Sequence, residues 1–151
     1  MIVIDASVIL AAFFPDENSR QARRFIADYV EGTVEFYAPR LLILELVNAS
    51  LVAFRRGRID EPIFNQLVDT MTSLQISWVD VESYGQQLAQ FAKEKQISAY
   101  DAAYVQAATI LNCKLVTGDI KLAVAVGDPV ITLDNYYPEN DSKTDSKEEL
   151  T

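Results

Sequence analysis

Histidine is absent from this 151-residue sequence and cysteine occurs once, at Cys113. Those two facts remove Ser-His triads, histidine-ligated metals, zinc fingers and intrachain disulfides from consideration. Glycine is also sparse: five scattered residues form neither a GxGxxG nor a P-loop, so nucleotide-cofactor and NTPase readings lose their main support. The longest apolar stretch, Leu41 to Phe54, is broken by Glu45 and Asn48 and is too short to cross a bilayer. The amino terminus has no basic leader and Asp5 interrupts its apolar start, which does not fit a signal peptide. A cytoplasmic location with no membrane association is therefore expected. Positive charge is scarce as well, with 13 basic against 22 acidic residues and a formal net charge of −9. That balance at first argues against a nucleic-acid partner, whose phosphates reward basic surfaces.

What is present is ample apolar side chain, half of all residues, enough for the core of one globular domain. Residues 138–151 contain a single aliphatic side chain, Leu150, among short charged and hydroxylated residues. They read as an acidic, disordered tail, because they bury too little to offset the entropy of ordering. Removing the tail, with five acids and two lysines, leaves a domain over 1–137 that still carries −6. Inside it, Ile2-Val3-Ile4, Glu35 to Ala38, Ile76 to Val79, Lys114 to Thr117 and Val130 to Leu133 are strand candidates. Between them, Ala22/Phe25/Ile26/Tyr29, Ile63/Phe64/Leu67/Val68/Met71 and Tyr84/Leu88/Phe91/Ala92 recur at helical spacing. Strands alternating with helices predict an α/β protein with a mainly parallel sheet covered on both faces.

The residues that stand out are acids placed where apolar side chains belong. Asp5 ends the first strand candidate and Asp119 follows the Lys114 to Thr117 run, so in a parallel sheet both emerge on the carboxyl edge, where open α/β sheets bind ligands. Glu45 interrupts Leu41 to Val47 and Asp101 interrupts Ser98 to Val105, each on a largely apolar helical face. Taken singly, Asp5 reads about as well as a helix cap, Asp119 as a turn residue and Asp101 as an early-helix acid. Together they are harder to explain that way. A carboxylate on a buried face is costly without a counter-charge, and neither helical acid has Lys or Arg at helical spacing. A divalent cation is the remaining compensation, and all-oxygen donors select Mg²⁺ or Mn²⁺. Ser7 and Thr117, each two residues from a strand-end acid, and Asn48, near Glu45, could support such a site, although capping and buried-amide roles compete. Trp78, Phe91, Tyr100 and Tyr104 are expected in the core, with Cys113 a small buried apolar residue.

Four segments, IVIDASVILAAFFPDE (2–17), YAPRLLILELVNAS (37–50), ISAYDAAYVQAA (97–108) and KLVTGDIKLA (114–123), together resemble the PIN domain, and within it the VapC-type toxin ribonucleases. The resemblance spans residues 1 to about 135. It implies a three-layer α/β/α sandwich with a central parallel sheet. It aligns Asp5, Glu45, Asp101 and Asp119 with the family's catalytic and metal-binding acids, and Ser7 and Thr117 with its hydroxyl positions. It further implies an Mg²⁺- or Mn²⁺-dependent endoribonuclease, the toxin of a type II toxin–antitoxin pair, usually a homodimer silenced by a VapB-like antitoxin. One departure bears on a second metal: many members carry a further acid shortly after the fourth, where this chain has Lys121 and Leu122.

Four site acids set against divalent ions soften the charge objection. Basic residues are also bunched, with Arg20, Arg23 and Arg24 in one helix and Arg55, Arg56 and Arg58 at the end of another. Solvated helix faces explain both clusters, and contact with RNA is the competing reading. Two other functions remain open at this stage. One is a PIN-like module that binds RNA or protein without cutting. The other is a phosphoryl-transfer protein with Asp5 as nucleophile, which lacks the second acid that haloacid-dehalogenase-type phosphatases need at the position of Ser7.

Overall fold

The apolar triplet at the start of the chain becomes β1 (Ile2–Ile4), buried along its whole length. In the computed structural model, which describes residues 1–137, it is the middle strand of a five-stranded sheet ordered β3-β2-β1-β4-β5. The others are β2 (Phe36–Ala38), β3 (Ser77–Trp78), β4 (Leu115–Thr117) and β5 (Val130–Thr132). Every pairing is parallel. All five strand candidates are found, the first with its bounds unchanged and the other four shortened by one or two residues. Leu133 leaves the last strand to begin a short helix, α8 (Leu133–Tyr136), capped by Thr132. The expected tail at 138–151 lies outside the described residues.

The connections are helical: α1 (Ala6–Phe13) and α2 (Arg20–Val30) after β1, α3 (Leu41–Arg55) and α4 (Glu61–Thr72) after β2, α5 (Gly85–Lys95) and α6 (Ala99–Leu111) after β3, and α7 (Ile120–Val126) after β4. Strand order runs outward from β1 to β3 and then returns past β1 to β4. Right-handed crossovers place helices on opposite faces for opposite directions of travel, so the reversal gives the three-layer sandwich. The reversal falls between β1 and β4, the switch point at which ligands of such sheets bind beyond the carboxyl ends of the strands.

The core is made by β1, β2 and β4 with the inner faces of the helices, and Phe25, Phe36 and Tyr104 are among its largest fully buried side chains. Phe25 and Phe36 meet with ring centroids 5.1 Å apart, and Tyr29 stacks on Phe36 at 4.6 Å. Tyr84 falls outside the α5 helix that its spacing predicted, because Glu82–Tyr84 forms a separate 3₁₀ turn. Tyr100, expected in the core, is 65% exposed; it sits in the first turn of α6, pointing away from the sheet while Tyr104 one turn later packs inward. Among the described residues no helix is long and apolar enough to cross a membrane.

Candidate active site

The buried polar side chains among the described residues are Asp5, Ser50 and Thr117, and two of the three meet at the carboxyl edge of the sheet. Asp5 ends β1 and caps α1, accepting from the Ser7 backbone N–H at 3.0 Å. Its Oδ1 also accepts the Ser7 hydroxyl, and its Oδ2 accepts the hydroxyl of Thr117, the last residue of β4. Each hydroxyl is in turn an acceptor. Gly118 N–H donates to Ser7 Oγ at 2.7 Å, and Asp119 N–H donates to Thr117 Oγ1 at 3.0 Å. A Cβ on Gly118 would stand 3.1 Å from Ser7 Oγ, so glycine here is what lets the β4 turn close on α1. Sequence spacing placed Ser7 and Thr117 beside acids, and the structure joins both to the same acid.

Glu45 is half-buried in the second turn of α3, reaching back toward the strand ends. Its Oε2 accepts the hydroxyl of Tyr104, a residue of α6 that is 1% exposed. Tyr104 is thus core, as expected, but also a site residue that periodicity could not reveal. Its phenol is held protonated by burial and by the neighbouring Glu45 charge. Asp101 sits at the start of α6 in a reciprocal cap. Ser98 Oγ donates to Asp101 Oδ2 at 2.8 Å, and Asp101 N–H donates to Ser98 Oγ at 3.0 Å.

Electrostatics tie three of these acids together. Burial pushes the Asp5 carboxyl above the ordinary carboxylate range, against the opposing pull of its bonds from Ser7 and Thr117. Burial also pushes Glu45 up; the Tyr104 hydrogen bond opposes this, while the charges of Asp5 and Asp101 add to it. Asp119 is more exposed, and its Oδ1 accepts from Lys121 and Leu122 N–H at 2.9 and 3.2 Å, capping α7. Asp5 is the helix cap considered for it and Asp101 the early-helix acid, while Asp119, read from sequence as a turn residue, caps α7; none of these roles excludes the carboxylate from the site.

The donor set suits a hard divalent cation: carboxylates and hydroxyls only, mutually repelling, with none of the four acids in an ion pair among the described residues. Among those residues no three acidic side chains gather tightly enough to enclose an ion by themselves. Such an open arrangement matches Mg²⁺, which is usually held by one or two carboxylates and keeps several waters. Asn48 is exposed on α3 and makes no side-chain hydrogen bond to the site.

The arginine clusters lie elsewhere. Arg55 and Arg56 end α3, ten residues and about 15 Å of helix beyond Glu45. Arg58 is bound to Asp16 and, at 3.2 Å, to Glu17, and lies over the Phe14 ring. In α2, Arg23 donates to Asn18 at 3.2 Å, Arg24 covers Tyr137 at 4.4 Å and Arg20 is exposed. Cys113 is partly buried against the core. A cation nearer the acids, Arg40 at the entry to α3, was not singled out from sequence, since an arginine at a helix start reads as a solvated residue.

Comparison with known proteins agrees with this architecture. The family model of the PIN domain matches residues 2–128. A VapC ribonuclease of Mycobacterium bovis, Mb0985, is 32% identical over 123 residues, covering 82% of this chain and 89% of that protein. Ribonuclease VapC3 of Pyrobaculum aerophilum is 30% identical over 125 residues, covering 81% of this chain and 92% of its own. The crystal structure of PAE2754, also from Pyrobaculum aerophilum, superposes with a TM-score of 0.66 at 20% identity, over 89% of this chain and 90% of that one.

Proposed function

The chain belongs to the PIN-domain family, and from that premise we propose that it is a metal-dependent endoribonuclease that hydrolyses RNA phosphodiester bonds as the toxin of a type II toxin–antitoxin pair. The observation that carries the reading is that Asp5 and Asp101 lie near enough to Glu45 for their charges to raise its carboxyl, while no basic side chain among the described residues is paired to any of the three. The names of its relatives at 32% and 30% identity supply the substrate class.

Asp5, Glu45 and Asp101 would hold Mg²⁺ or Mn²⁺, with Asp119 at the margin. A divalent ion supplies charge neutralisation at a phosphodiester and lowers the pKa of water. The chain's own residues set the stage for it. Ser7 and Thr117 fix both oxygens of Asp5, so that its carboxylate keeps one orientation. Tyr104 does the same for Glu45 from the core side. Asp5 so engaged is a poor nucleophile, which weighs against the phosphoryl-transfer alternative. Glu45 is half-buried, not fully covered, so water reaches the carboxylate.

A VapB-like antitoxin and a second copy of the chain are the protein partners this reading expects. The exposed side chains of Leu44, Tyr100, Ile120 and Val124 support such contacts. The deciding experiment incubates purified protein, free of antitoxin, with mixed RNAs in the presence and absence of Mn²⁺. Cleavage is expected only with metal, and it is lost in Asp5→Asn and Glu45→Gln. Undiminished cleavage by either folded variant would place the chemistry elsewhere.

A further inference from the structure

The same edge of the sheet carries a second feature that the acid cluster does not use. Arg40, Trp78, Val79, Asp80 and Glu82 line a hollow of about 450 Å³ beyond the carboxyl ends of β2 and β3. Trp78 is in register with Ala38, two strands along from β1. At the usual strand spacing the hollow therefore opens roughly 10 Å from the strand end that bears Asp5. Arg40 precedes Glu45 by five residues, or ~7.5 Å along the axis of α3. The hollow and the carboxylates are thus neighbours on one rim.

Its chemistry is specific. Trp78 is partly buried and packed against the core, so its ring is a fixed plane. The Arg40 guanidinium lies 5.6 Å from the ring centroid on an exposed side chain that can lift and close over a flat group. Asp80 Oδ1 accepts from Glu82 N–H and Glu82 Oε2 from Val81 N–H, each at 3.1 Å. The second oxygen of each carboxylate takes no hydrogen bond from any described residue. Two such carboxylates repel phosphate and favour an occupant that brings hydrogen-bond donors, and the indole plane favours an aromatic one. Among RNA bases, guanine presents N1–H and N2–H₂ side by side on its Watson–Crick edge. Adenine and cytosine set a ring acceptor beside their amino group, and uracil flanks its single donor with two carbonyls. Single-stranded RNA is read in this way, by stacking on aromatic planes and by pairing with base edges.

We propose that this hollow is a base subsite that selects guanine: the base stacks on Trp78 beneath Arg40, and Asp80 and Glu82 accept its N1–H and N2–H₂. The place of this base within a cleaved strand rests on the ribonuclease reading above; the binding itself does not. Trp78 is the single tryptophan of the chain, so its emission reports the site directly. In EDTA, where no cleavage occurs, the full chain is titrated with UUGU, UUAU, UUCU and UUUU tetraribonucleotides. Saturable quenching by the guanine-containing strand at about tenfold lower concentration than by the others is expected, the discrimination of one bidentate base contact. Asp80→Asn with Glu82→Gln relieves repulsion of the phosphates, so uridine-only RNA binds more tightly while the preference for guanine disappears. Arg40→Ala weakens all four, and Asp5→Asn leaves the preference intact. Equal quenching by all four strands, or a preference that survives loss of both carboxylates, overturns the proposal. So does an emission change produced only by an antitoxin peptide, which would make the hollow a protein contact. Selective quenching by a protein that cuts no RNA would sink the nuclease reading and leave the subsite standing. Metal-dependent cleavage with a flat titration would do the reverse.

Discussion

Tyr104 shows what a single hydroxyl contributes here. Its ring fills the core, and its oxygen donates to Glu45 across 59 residues of sequence, opposing the burial that raises the Glu45 carboxyl. In Tyr104→Phe the ring stays and that opposition is lost, so Glu45 rises further and is ionised only at higher pH. We expect stability to change by no more than about 1 kcal/mol, since water can reach the half-buried carboxylate, while the acidic limb of the cleavage–pH profile moves upward. An unmoved profile, measured with saturating Mn²⁺, would show that Glu45 does not titrate in the reaction. Gly118→Ala tests the other latch. The added methyl meets Ser7 and should displace the hydroxyl that fixes Asp5, weakening metal affinity about tenfold, the scale seen when groups behind a metal ligand are disturbed; calorimetry with Mn²⁺ reads it. The acids themselves were legible in sequence, because a carboxylate in an apolar run is an anomaly wherever the chain folds. Tyr104 and Arg40 were not. An aromatic on a buried helix and an arginine at a helix start are ordinary, and only their distant partners make them informative.

At the scale of elements, β1, β4 and β5 were readable because short runs of Ile, Val, Leu and Thr bounded by polar residues have few other uses, and β2 and β3 because aromatic residues favour strands. Helix ends were less so. Gln96 and Asn112 both stop helices in the left-handed conformation, with φ of 56° and 49°, positions that favour glycine and carry no glycine signal here. The switch point, likewise, follows from strand order, which no local pattern encodes. The start of α6 couples stability to the site, because Ser98 caps the helix and also orients Asp101. Ser98→Ala should therefore cost about 1 kcal/mol, lowering Tm by roughly 3 °C for a domain of this size. It should also weaken metal binding, as Asp101 loses its orientation. Ser19→Ala, which removes an equivalent cap from α2 away from the acids, should match the fall in Tm and leave metal affinity unchanged. Equal metal affinities in the two variants would remove Asp101 from the ion's environment.

For the whole molecule the site concentrates negative charge in a chain whose net charge is already −9. Asp5 and Glu45 both hold protons more tightly folded than unfolded. Between the ordinary carboxylate value and their raised values the native state thus binds more protons than the unfolded chain, and their contribution makes stability fall as pH rises through that window. Asp16, pulled down by Arg58, has the opposite sign, losing its contribution as pH falls, but it is an exposed side chain whose ion pair is screened by solvent. Divalent metal should reverse the site's slope, because it binds the deprotonated carboxylates of the folded state alone. At a hundredfold excess over Kd, linkage gives about 2.7 kcal/mol, or roughly 8 °C in Tm. The shift should be larger near neutral pH than in mild acid. Calorimetry in buffers of different ionisation heat should show protons released on binding, fewer as pH rises and the site empties of them beforehand. Asp5→Asn should lose most of the metal-induced shift in Tm. If the variant and the parent gain the same number of degrees, the ion does not sit on Asp5, and the charge gathered at the switch point must be balanced by something other than metal.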